Sequence, residues 1–313
     1  MSYVRKLIKR KRFWALLFLV GFFIFAYDFM QLRRSDQAFM DFFEQQGLAE
    51  VASIDYIMKD ARRLRYVEVG QDSLPLLVFI HGAPSSSSFW TDFLSDSTLL
   101  SRAKLMAVDR PGYGYSEYGR IETSVAKQAE LIAEVLKTKR QDHDQIVIHG
   151  SSYGGTVAAR LAMDYPELVD GIVFQSSSLA PGEETTYWLT YPTSHWALSW
   201  LLPIPLQVAN AEKLSHQKEL EEMVPLWDRI HSAVTILHGT DDGLIYPSNA
   251  KFAREHLTKA SFVDLIMVPG SGHDLTWTQP KLLKEAILNT ISKVQDAQNL
   301  HQAVRANAAL TAH

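Results

Sequence analysis

The sequence predicts an α/β domain: a mostly parallel sheet flanked by helices, with a helical cap insertion and an N-terminal transmembrane helix. Three observations carry that prediction. Short apolar runs of strand length alternate with stretches whose apolar residues recur at helical spacing, which implies crossover connections and parallel pairing. The polar, glycine-rich motifs lie directly after apolar runs, where open parallel sheets bind their ligands. One of them, Gln145–Gly155, reads as strand, sharp turn and helix, with Gly150-Ser151-Ser152-Tyr153-Gly154 at the turn.

The amino terminus stands apart. Arg5, Lys6, Lys9, Arg10, Lys11 and Arg12 precede an apolar run over residues 13–30, interrupted only by Asp28. As a helix that run is about 27 Å long, close to the hydrocarbon thickness of a bilayer. It reads as an uncleaved signal anchor; a cleaved secretory signal and a surface-lying helix are the alternatives, and no small-x-small cleavage site follows. Six basic residues before the run, against Arg33 and Arg34 after it, put the amino terminus in the cytoplasm and the rest of the chain on the extracytoplasmic side. Residues 1–34 are thus a basic terminus and anchor. Residues 35–61 form a linker in which Phe39, Phe42, Phe43 and Leu48 suggest a short amphipathic helix, lying on the membrane or packed on the domain.

The first half of the core spans residues 62–178. Leu64–Val69 alternates as a half-buried strand, and the apolar run Leu74–Ile80 ends at His81-Gly-Ala-Pro84. Phe89–Leu100 has helical spacing. The strand Lys104–Val108 ends in Asp109-Arg-Pro-Gly-Tyr-Gly-Tyr-Ser116, and a helical stripe over Val125–Leu136 leads to the Ser152 strand. Only Ser152 has glycine two positions away on both sides, as a strand reversing directly into a helix requires. After the Ser152 helix comes the strand Gly171–Phe174. The second half, residues 230–295, holds strand Val234–Leu237, helix Asn249–Leu257, strand Val263–Val268 and helix Lys281–Ile291. Residues 296–313, rich in Ala, Asn and Gln, read as a tail.

Two further motifs complete a chemistry. Strand Val234–Leu237 runs into His238-Gly-Thr-Asp-Asp-Gly243, and the last strand into Pro269-Gly-Ser-Gly-His-Asp274. Serine, carboxylate and histidine therefore follow strand ends in the order Ser152, Asp242, His273. A neutral hydroxyl is a poor nucleophile, so an imidazole must take its proton, and a carboxylate must fix the imidazole tautomer. The sequence resembles the α/β-hydrolase superfamily over roughly residues 62–295, through its H-G-x-P, D-R-P-G-x-G-x-S, G-x-S-x-G, G-x-x-D and G-x-G-H motifs in that order. The resemblance implies Ser152 as nucleophile, Asp242 as acid and His273 as base, with an oxyanion hole from the backbone amides of Ala83 and Tyr153. The acid loop departs from the family: Val-Pro usually follows, and here it is Ile245-Tyr246-Pro247, one residue longer. Asp241 is thus the alternative acid, although Asp242 keeps the three-residue step from Gly239.

The insertion over residues 179–229 falls where the superfamily places its cap. It is rich in aromatic residues, and Pro192, Pro203 and Pro205 divide it into short helices. Trp188, Trp196 and Trp200 are candidates to line an apolar pocket above Ser152, against the plainer reading that they pack the cap. His81 and His238 read as loop-fixing, His149 as a core histidine, and Asp109 and Arg110 as holding their own turn.

Composition narrows the rest. Over 313 residues the net charge is −4, too mild for a nucleic-acid partner, and the absence of cysteine excludes a thiolate nucleophile and disulfides. The histidines lack metal-ligand spacing, and the glycines after Asp109 do not form a phosphate cradle, so no metal or cofactor is expected. The expectation is a membrane-anchored serine hydrolase of a small-to-medium apolar carboxylic ester, with the lipid bilayer as its other partner through residues 13–30. A serine aminopeptidase or carbon–carbon bond hydrolase of the same fold, or an idle membrane-tethered binding domain, are the rivals.

Overall fold

The structure, a computed structural model, describes residues 13–19, 21 and 30–311. Eight strands form one sheet: β1 (Ala52–Lys59), β2 (Arg62–Val69), β3 (Leu76–Ile80), β4 (Lys104–Val108), β5 (Ile146–Ser151), β6 (Gly171–Gln175), β7 (Ala233–Gly239) and β8 (Phe262–Val268). Their order is β1-β2-β4-β3-β5-β6-β7-β8. The pairs β1–β2 and β2–β4 are antiparallel and all later pairs parallel. The chain winds outward to β4, then crosses back over β3 to lay down β5. The switch in direction therefore falls between β3 and β5, and a crevice opens at their carboxyl ends.

Alternation along the strands feeds two apolar layers. Leu76, Val78 and Ile80 of β3 join Ile146 and Ile148 of β5 in one; Leu77, Phe79 and Val147 point to the other. The first layer is covered by α2 (Val125–Lys139), α3 (Tyr153–Asp164) and α5 (Ser248–His256). The second is covered by α1 (Asp36–Gln45) and α6 (Pro280–Thr311). Between β6 and β7 lies the cap, with two short helices (Thr190–Ser194 and Trp196–Ser199) and the 20-residue α4 (Ile204–Met223).

Every strand expected from the sequence is present, and one was not foreseen. The stretch 35–61 does begin with a helix, α1, capped by Ser35; its Phe39 and Phe43 are fully buried against the sheet, so the helix packs on the domain. The stretch then continues as β1, an edge strand in register with β2 from Ala52↔Val69 to Lys59↔Arg62. The sheet thus starts about ten residues before position 62. The hairpin turn is Asp60-Ala61, both at positive φ, where Asn-Gly is the usual signal.

Other boundaries shift for local reasons. Phe89–Leu100 is not one helix: Asp96 accepts from the amides of Thr98 and Leu99 and starts a new turn. Pro203 and Pro205 do not break the cap at that point. They begin α4, where a missing N–H costs nothing. The last helix runs on through the expected tail to Thr311, and Gln298 docks it by donating to the Asp144 carbonyl and accepting from Gln145. Among the described residues no helix is long and apolar enough to cross a membrane. Half of the expected span over residues 13–30 lies outside them.

Candidate active site

Ser152 stands between β5 and α3 with φ +53° and ψ −124°, a conformation that costs a non-glycine residue about 1–3 kcal/mol. Its surroundings hold it there. A Cβ on Gly154 would fall 2.2 Å from the Ile80 carbonyl oxygen, and one on Gly150 would fall 2.7 Å from that of Gly154. Both flanking glycines are therefore required by the approach of β3 and α3. The turn is pinned by Ser152 N–H donating to the Gln175 carbonyl, and by the Ser152 carbonyl accepting from Gly155 and Ser178.

Three strand ends bring polar groups to this turn. From β3, the loop His81-Gly82-Ala83 passes so close that a Cβ on Gly82 would be 3.0 Å from that of Ser152. Ala83 and Tyr153 line one cavity with Ser152. Tyr153 is the first residue of α3, so its N–H has no acceptor within the helix. From β7 comes Asp242, fully buried, whose Oδ1 accepts from the amides of Leu244 and Ile245. Its Oδ2 is 2.8 Å from Nδ1 of His273, which follows β8. Burial pushes the Asp242 carboxyl up, but His273 and those two amides outweigh it and hold the carboxyl below its ordinary range. Asp241 is exposed and accepts instead from its neighbour Thr240, so it is Asp242 that reaches the histidine. Ser152 and His273 line a shared cavity of about 340 Å³.

The H-G-A-P loop is positioned by a buried cation. Arg110 donates through Nε to the His81 carbonyl at 2.9 Å and through Nη2 to the Gly82 carbonyl at 3.1 Å. It also pairs with Glu212 of α4 at 2.5 Å, and both side chains are fully buried. Tyr113 donates to the same carboxylate at 2.7 Å. Arg110 and Glu212 thus join the loop carrying Ala83 to the cap. Arg110 was legible only as a turn-holding residue, and Glu212 not at all. The histidines follow their expected plain roles: His81 accepts from the Arg110 amide, His238 bonds the Ile245 carbonyl, and buried His149 bonds Gln175 with its pKa pushed down to about 3 by burial. Asp109 accepts from Ser87 and Tyr115 and so ties its glycine turn to the neighbouring loop.

Above Ser152 opens a cavity of about 470 Å³, within the size range of small-molecule sites. Its wall is largely apolar, with Leu189, Leu202, Leu206 and Leu244 facing it. Trp188, Trp196 and Trp200 do not line it; they are 71–81% exposed. The reason is the inward face of their segment. Asn210 of α4 donates to the Thr190 carbonyl and Thr193 hydroxyl, which turns the threonines in and the tryptophans out. One polar cluster in the wall had no sequence signal. Glu184 meets Lys213 at 2.7 Å, His216 Nδ1 at 3.0 Å and the Ser178 hydroxyl at 2.9 Å. His216 Nε2 in turn lies 3.0 Å from the Thr156 hydroxyl. Among the described residues there is no cluster suited to a metal ion.

With this geometry in hand, residues 77–286 match the alpha/beta hydrolase family profile. The chain belongs to that family. A relative, epoxide hydrolase 1 of Caenorhabditis elegans, is 30% identical over 132 residues, which cover 42% of this chain and 32% of the relative. The chain thus matches about a third of that relative's length. Among solved structures, a putative lipase from Acinetobacter baumannii superposes with TM-score 0.63 at 19% identity, covering 85% of this chain and 98% of the lipase. An esterase from Rhodococcus gives 0.61 at 22%, covering 77% and 99%. These likenesses establish the fold of an alpha/beta hydrolase, and family membership supports hydrolysis.

Proposed function

We propose that this alpha/beta hydrolase is a serine hydrolase that cleaves a small-to-medium apolar carboxylic ester through an acyl-enzyme. The observation that carries the reading is the 2.8 Å contact of His273 Nδ1 with buried Asp242, on a histidine that shares a cavity with Ser152. With Nδ1–H donated to the carboxylate, Nε2 keeps its lone pair and takes the Ser152 proton as the hydroxyl attacks the carbonyl carbon. The tetrahedral oxyanion is received by the Ala83 and Tyr153 amides, each worth about 2.7–4 kcal/mol of barrier. Collapse expels the alcohol, which takes the proton from His273, and a water activated by the same histidine releases the acid. Epoxide and haloalkane chemistry in this fold needs a carboxylate nucleophile, and this chain has Ser152 there. The mostly apolar wall of the 470 Å³ cavity favours an apolar acyl or alcohol group.

A fluorophosphonate probe should label the parent chain and leave Ser152→Ala unlabelled. Esters of p-nitrophenol with graded chain length should be turned over by the parent alone. An unlabelled parent would favour an idle binding domain. Turnover retained in Ser152→Ala but lost in Ser151→Ala would move the nucleophile.

We further propose an anchor over residues 13–30, with the amino terminus in the cytoplasm and the catalytic domain across the membrane. The charge asymmetry around the apolar run supports it. A reporter active only outside the cytoplasm, fused after His313, should give signal. Neutralising Lys9, Arg10, Lys11 and Arg12 should weaken or invert that signal.

A further inference from the structure

The outer face of the cap is unlike the rest of the surface. From Thr185 to Ala211 there is no Asp, Glu, Lys or Arg. Within that stretch Tyr187, Trp188, Tyr191, Trp196, Trp200 and Leu201 are each 57–81% exposed. A contiguous apolar face of this kind on a soluble surface marks an interaction site. Its composition points to one sort of partner. Trp and Tyr pair an apolar ring with a polar edge, and they concentrate where hydrocarbon meets headgroups. A charge-free segment also lacks the ionic rim that a folded protein partner would use.

Position strengthens the case. Tyr187 and Leu189 are exposed and also line the Ser152 cavity, so the outer face and the cavity wall form one apolar surface. On the other side of the mouth, Leu32 and Trp277 line the cavity shared by Ser152 and His273, and Trp277 is 61% exposed. The Leu32 carbonyl accepts from the Ser86 hydroxyl at 2.6 Å, and the Arg33 guanidinium lies 3.9 Å from the centre of the Tyr118 ring. The chain following the apolar 13–30 run therefore enters the domain at the mouth of the site. A lipid-held run ending there brings that mouth to the bilayer.

We propose that the aromatic face of the cap and the Leu32–Trp277 rim seat against a lipid bilayer, so that the Ser152 cavity opens into the headgroup layer and draws its ester from the membrane. The substrate class is then an ester dissolved in lipid. This rests on the serine-hydrolase reading for its chemistry, but the docking geometry does not.

The test reconstitutes the full chain in phosphatidylcholine vesicles, with and without brominated acyl chains, beside the triple variant Trp188→Ser/Trp196→Ser/Trp200→Ser. These tryptophans lie outside the cavity, so the variant should keep its thermal unfolding midpoint and its kcat/KM on water-soluble p-nitrophenyl butyrate. Brominated lipid should quench the parent's tryptophan emission more than the variant's. Turnover of a long-chain p-nitrophenyl ester dissolved in the vesicles should fall about tenfold in the variant. Equal quenching, equal turnover of the vesicle-borne ester, or light scattering showing a parent dimer that the substitutions dissolve would overturn the docking. Quenching without hydrolysis of either ester would instead sink the serine-hydrolase reading and leave the docking standing.

Discussion

Replacing Glu212 by Gln tests how far the loop carrying Ala83 depends on a buried ion pair. The substitution keeps the volume of the side chain and leaves Arg110 charged, since a guanidinium does not give up its proton. Arg110 and Glu212 are both fully buried and 2.5 Å apart. Removing one partner of such a pair costs about 3–5 kcal/mol, because the remaining charge stays desolvated. Arg110 retains the carbonyls of His81 and Gly82 and the Gln128 side chain, so the lower end applies. About 3 kcal/mol corresponds to a fall in Tm of roughly 6–12 °C, read by differential scanning fluorimetry. The second arm removes Arg110 itself from the loop. Arg110→Met/Tyr113→Phe/Glu212→Leu removes the pair together with the hydroxyl that bonds it, and an apolar replacement of a buried pair is often neutral. Here, however, the buried His81 and Gly82 carbonyls and Gln128 Oε1 lose their donor at about 1–3 kcal/mol each, so the triple variant should be no more stable than Glu212→Gln. Ester turnover should not return, because nothing then holds the carbonyls that set the Ala83 amide; a displaced oxyanion donor costs about a hundredfold. A Glu212→Gln loss below about 1 kcal/mol would refute the electrostatic reasoning. Recovery of full turnover in the triple variant would refute the role given to Arg110.

Asp242→Asn should lower turnover about 10⁴-fold by fixing the wrong histidine tautomer, while Asp241→Asn stays near the parent; the reverse pattern in steady-state kinetics would reassign the acid. Gly154→Ala should cost about 3 kcal/mol or more in denaturant unfolding, since its Cβ meets the backbone of Ile80 and His81, whereas Gly243→Ala, with nothing within 4 Å, should stay within about 0.5 kcal/mol. Burial pushes the Glu184 carboxyl up, but His216 and Lys213 overcome it and bring it down from its ordinary 4.5 to about 2. A depressed folded-state pKa gives stability that is present above 4.5 and lost as pH falls toward 2. Between pH 5 and 2 the parent should therefore lose about 3 kcal/mol more than Glu184→Gln, measured by chemical unfolding at each pH.

What the sequence disclosed and what it hid divide along physical lines. The inner parallel strands β3, β5, β6 and β7 were legible because they are short, mainly apolar stretches buried on both faces, and the site's motifs because glycine and histidine punctuate the strand ends. β1 was hidden because an edge strand is half exposed and its turn uses Asp60-Ala61 in place of the usual glycine pair. Ser152 could be placed from its own flanks, since a tight turn is a local constraint. Glu212 could not, because its meaning depends on an arginine 102 positions earlier and on how the cap folds back. The tryptophans misled for the same reason: aromatic content shows that a segment has something to bury, but only packing decides which way it faces. Here the threonines of the segment found partners on α4, and the tryptophans were left outside. A face left outside with no charge on it is a cost in water, and the site's mouth opens beside it. The tryptophans that the sequence pointed inward are thus the ones on which the proposed membrane docking rests.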